Sequence, residues 1–68
     1  MLYISISKRI KKYRKMHRIS QEKFGTILGV SAQAVSKWER EISYPDIMLW
    51  PTLSKLLSCK IEDFFETK

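Results

Sequence analysis

Two side chains near the middle of the chain carry the most evident hydrogen-bonding chemistry. Gln33 offers a paired donor and acceptor, and Lys37 offers three donors with a full charge. Both lie in GVSAQAVSKWER, residues 29–40, where Val35 and Trp38 mark the apolar side at helical spacing. On such a helix Ala32, Gln33, Ser36, Lys37 and Arg40 share the outward side. That side is too polar for a core stripe and lacks the Glu/Lys pattern of a solvated face. It suits directed hydrogen bonding and negative charge. Covalent chemistry has little to work with: His17 is the only histidine and Cys59 the only cysteine. His17 is expected at the boundary of a helix and Cys59 as a core thiol. No Ser/His/Asp set, metal-ligand cluster or glycine-rich phosphate loop is present, so no catalytic residue, metal or cofactor is expected.

The elements that must position these residues follow from punctuation. A first helix runs from about Ser5–Ser7 to Met16 or His17, with Ile6, Ile10 and Tyr13 along one face. Ser5 and Ser7 compete as its cap. A second starts at Ser20, buries Phe24, Ile27 and Leu28, and stops at Gly29, which can take a left-handed conformation. Ser31 caps the third helix. The three-residue link Gly29–Ser31 forces a sharp crossing, and Gly25 suits a close approach there. EISYPD reads as a turn. A fourth helix, begun between Met48 and Trp50, carries Leu53, Leu56 and Leu57, with Pro51 in its first turn. A short fifth helix is expected from Ile61 to Phe65. No segment alternates like a strand, so the expected fold is all-α, a compact five-helix domain over residues 1–68 with its core at about 6–65.

At 68 residues the chain supports one small core and no deep substrate cavity. A lone cysteine argues against a disulfide scaffold and for a reducing compartment, and no apolar run reaches the length of a bilayer span. A cytoplasmic protein is expected. The net charge of +6 is unevenly placed. Residues 1–40 hold ten lysines and arginines against Glu22 and Glu39, a balance of +8; residues 41–68 balance at −2. A polyanion partner for the first half is implied.

From Ile6 to Phe65 the chain resembles the Cro/C1-type helix-turn-helix regulators of the XRE family. ISQEKFGTILGVSAQAVSKWEREISYPD carries the resemblance, with Gly25, Gly29, Phe24, Leu28, Val30, Val35 and Trp38 at the family's spacing. The resemblance implies a lambda-repressor-like domain in which helices two and three form the helix-turn-helix and the third lies in the major groove. Ala32, Gln33, Ser36 and Lys37 then become the base-reading residues: Gln33 matches adenine, Lys37 the O6 and N7 of guanine, and Ala32 a thymine methyl. Phosphate contacts are expected from Gln21, Ser31 and Arg40. Arg14 and Glu39 fall where the family forms a structural ion pair. The sequence departs from the family at Arg18, where a glycine often stands, at Lys23, which removes the reciprocal capping carboxylate, and at Ser58 and Lys60.

The implied partner is double-stranded DNA with an inverted-repeat operator, bound by a homodimer. Its expected dimer surface is Cys59, Ile61 and Phe65. The expected role is transcriptional regulation in a bacterium or phage, repression before activation, with no small-molecule substrate and no membrane. An antitoxin or protein-interaction module on the same fold is the alternative reading.

Overall fold

Backbone rules at the helix ends set most of the architecture. The computed structural model describes residues 2–67. The order is strand β1 (Leu2–Ile4), helices α1 (Ile6–His17), α2 (Gln21–Leu28) and α3 (Ala32–Glu39), a 3-10 turn at Ile47–Leu49 leading into α4 (Trp50–Leu56), a second 3-10 turn at Ile61–Phe64, and strand β2 (Phe65–Thr67). Ser20 and Ser31 each accept a hydrogen bond from the backbone N–H three residues on, at 2.9 and 3.1 Å. These bonds satisfy N–H groups that a helix start leaves open. Pro51 sits in the first turn of α4, where its missing N–H is not needed.

The crossing of α2 and α3 depends on Gly25. Its carbonyl accepts the Val30 N–H at 2.8 Å. A Cβ built on it would lie 2.5 Å from the Val30 carbonyl oxygen. Any side chain there would push the two helices apart. Gly29 then reverses the chain at φ +77° with open space around it. Among the described residues, the non-glycine positions Arg18, Glu41 and Ser58, which follow α1, α3 and α4, also take left-handed conformations.

The core is formed by Ile6, Ile10, Phe24, Val35, Trp38, Trp50, Leu53 and Phe64. Tyr13 meets Phe24 edge-on at 5.7 Å, and Trp50 meets Phe64 edge-on at 5.6 Å. The Trp50 indole N–H donates to the Pro45 carbonyl at 3.0 Å, so its polar atom is satisfied inside the core. Burial of each large side chain contributes roughly 1.5–3 kcal/mol.

Three expectations are corrected. The segment expected as a fifth helix is a 3-10 turn. Lys60 has no side-chain oxygen to cap a helix; instead the Asp63 carboxylate accepts the Lys60 N–H at 3.0 Å and closes a single turn. The domain is mostly helical rather than all-α. After that turn the chain extends, and β2 pairs antiparallel with β1, Tyr3 opposite Glu66 and Ile4 opposite Phe65. Glu66 also accepts from Tyr3 at 3.1 Å, Lys8 at 3.1 Å and Arg9 at 3.3 Å, which fastens the strand pair to α1. Ile27 is 46% exposed rather than buried. Phe24 and Leu28 occupy the inward face of α2, and Ile27 falls on the opposite flank of Phe24.

Candidate nucleic-acid interface

Helix α3 is held at both ends. At its start, Ser31 caps it and Gly25 fixes its approach to α2. At its far end, Glu39 gathers three elements. Its carboxylate accepts from Arg14 Nε at 2.6 Å and Nη2 at 2.9 Å, a bidentate pair with α1. Gln21 Nε2, at the start of α2, donates to the same carboxylate at 3.2 Å. The Glu39 carbonyl accepts from the buried hydroxyl of Ser7 at 2.8 Å. Arg14 Nη1 also donates to the Ile19 carbonyl at 3.1 Å, tying in the turn between α1 and α2. Burial pushes the Glu39 carboxyl upward, but the bonds from Arg14 and Gln21 outweigh it and hold the group below the usual carboxylate range. Arg14 is raised by the same pairing.

The outward side of this fixed helix is polar and open. Gln33, Lys37 and Arg40 are exposed, and Ala32 and Ser36 are half-buried. Gln33, Ser36, Lys37 and Arg40 line one shallow groove along the helix. Among the described residues, no side-chain hydrogen bond or ion pair engages Gln33 or Lys37, so their donors and acceptor face solvent. Arg40 Nε reaches back to the Ser36 carbonyl at 3.4 Å. Exposed Ser31 uses its oxygen on the Ala34 N–H. Gln21 is half-buried and commits one amide N–H to Glu39; among the described residues, no other side-chain hydrogen bond engages it.

The C-terminal residues Cys59, Ile61 and Phe65 lie apart from this groove in sequence. Cys59 is half-buried against the core, and burial pushes its thiol upward. Ile61 is 38% and Phe65 43% exposed, and Phe65 rests on Trp50 at 5.4 Å. No group of three or more His, Cys, Asp or Glu side chains among the described residues could hold a metal. No helix among them is long and apolar enough to cross a membrane.

Sequence reasoning missed Ser7, weighing it only as a cap. The signal was present: Ser7, Ile10 and Arg14 share one helical face, so a hydroxyl there points at the same neighbour as the guanidinium.

Two short helices crossed tightly at a glycine, the second presenting a polar face, define a helix-turn-helix domain. Residues 10–64 match the helix-turn-helix family profile. The chain is 35% identical over 57 residues to the uncharacterized HTH-type transcriptional regulator MJ0272 of Methanocaldococcus jannaschii, covering 84% of this chain and 86% of that one. The crystal structure of the c2 repressor of phage P22 with a synthetic operator superposes with a TM-score of 0.74 at 36% identity, covering 87% and 89% of the two chains. The solution structure of the same repressor's DNA-binding domain gives a TM-score of 0.70 at 34% identity, covering 93% and 90%. The chain belongs to the Cro/C1-type helix-turn-helix family.

Proposed function

We propose that the chain is a sequence-specific DNA-binding repressor that reads the major groove with α3. The observation that carries this reading is the open polar groove of Gln33, Ser36, Lys37 and Arg40 on a helix locked by Gly25 and Glu39. Its likeness to a repressor–operator complex supports the same orientation. Gln33 pairs with adenine and Lys37 with guanine; Ala32 and Ser36 complete the base-facing stripe. Arg40, Ser31 and the N-terminus of α2 at Gln21 hold the phosphates, contacts that fix register without reading sequence.

One helix reads few base pairs, so the domain acts as a homodimer on inverted half-sites about 34 Å apart. Exposed Ile61 and Phe65, with Cys59 beside them, form the contact between copies. Repression requires only occupancy of a promoter, in the cytoplasm, with no cofactor.

Selection of duplexes from a random pool tests the base-reading roles. The wild-type chain enriches one motif. Gln33→Ala and Lys37→Ala each relax a single position, at a cost of about 1–3 kcal/mol on the original site. Identical motifs from wild type and both variants would remove these residues from the reading.

A further inference from the structure

Arg18 occupies a position where its side chain is a backbone liability. It follows α1 in a left-handed conformation, φ 53° and ψ 47°, which costs an arginine what it would not cost a glycine. Its backbone work needs no side chain: the Arg18 N–H bonds to the Arg14 carbonyl, and glycine would do the same. The side chain is exposed, and among the described residues no hydrogen bond or ion pair engages it. No contact among the described residues accounts for an arginine here.

Its place in the fold is fixed by hydrogen bonds on its neighbour. The neighbouring Ile19 is gripped twice by Arg14: its N–H donates to the Arg14 carbonyl at 3.1 Å, and its carbonyl accepts from Arg14 Nη1 at 3.1 Å. Arg14 is in turn clamped to Glu39 at the end of α3. The corner carrying Arg18 is therefore fastened to the reading helix. Two residues on, Ser20 caps α2, whose first turn lies at the surface with Lys23 exposed.

We propose that Arg18 is a further phosphate-contacting residue, whose charge grips the DNA backbone beside the N-terminus of α2 and offsets the strain of its position. The inference rests on the DNA reading above. A guanidinium suits the role, since it is always charged and can fork onto two phosphate oxygens.

The test titrates salt against binding of a selected operator duplex and an unrelated duplex, for wild type, Arg18→Gly, Arg18→Asn, Arg18→Lys and Lys55→Ala. Glycine and asparagine both tolerate the left-handed backbone, so these variants fold, and Arg18→Gly melts no lower than wild type. Both should shallow the slope of log affinity against log salt by about 0.9, equivalent to one phosphate, on both duplexes alike. Arg18→Lys should keep the wild-type slope. Unchanged slopes in the glycine and asparagine variants would overturn the assignment while leaving the DNA reading intact. So would an equal change in Lys55→Ala, whose lysine lies on α4, because only net charge would then be at work. Wild-type chain that binds neither duplex in a salt-dependent way would overturn the DNA reading itself.

Discussion

Removing the Glu39 carboxylate perturbs the fold and the site together. Its side chain is 7% exposed, and Glu39→Ala leaves the Arg14 guanidinium, 23% exposed, with only the Ile19 carbonyl. Losing one partner of a fully buried pair costs roughly 3–5 kcal/mol. Arg14 opens to water on one side, which lowers the expectation to roughly 2–3 kcal/mol. A domain of this size holds roughly 3–10 kcal/mol in all, so the variant should melt roughly 10–20 °C lower while remaining folded in the cold. The bond from Ser7 to the Glu39 carbonyl survives, because it involves backbone. Thermal unfolding followed by circular dichroism measures the change. Adding Arg14→Met should recover part of the loss, since no buried charge is then left unpaired. A single variant melting within about 2 °C of wild type would refute the reasoning, because 1 kcal/mol alone shifts a small domain by more.

Gly25→Ala places a methyl 2.5 Å from the Val30 carbonyl oxygen, against backbone that cannot rotate away. Overpacking of this kind should destabilise by about 3 kcal/mol, against about 1 kcal/mol gained in helix propensity, and urea unfolding should show a net loss. Acid should loosen the fold in a defined window. Bonds from Lys8 and Tyr3, with the charge of Lys8 beside it, hold the Glu66 carboxyl down to about 2 from an ordinary 4.5. Because this folded-state value lies below the unfolded one, its contribution is complete above pH 4.5 and disappears as the pH falls toward 2. Glu39, also held low, adds to the same trend. Glu66→Gln should flatten the melting temperature across that window; an unchanged acid profile would remove Glu66 from the account.

The helix-turn-helix was legible because its signals are local. Ser20, Gly25, Gly29 and Ser31 each impose a backbone rule within a few residues, and Phe24, Val35 and Trp38 repeat at helical spacing. The strand pair was not legible. β1 and β2 have three residues each, too few for alternation to register, and they join positions more than sixty residues apart. The fifth helix failed for a related reason. Glu62 and Asp63 look like a favourable first turn, yet Asp63 spends its carboxylate closing that turn, and the chain then leaves for the sheet. The outward stripe of α3 could be read as a stripe, because exposure follows from the burial of Val35 and Trp38. The grip on its far end could be read only in part. The Arg14–Glu39 pair came from the resemblance, and the place of Ser7 on the same face of α1 followed from helical spacing, whereas the contribution of Gln21 depends on a helix crossing that no spacing encodes.

The most direct test of α3 in the major groove is methylation interference on the selected operator. Methylation at guanine N7 lies on the major-groove edge and should abolish binding at the guanine paired with Lys37; in Lys37→Ala that interference should vanish while the rest of the footprint remains. Binding indifferent to N7 methylation throughout the half-site would contradict the account.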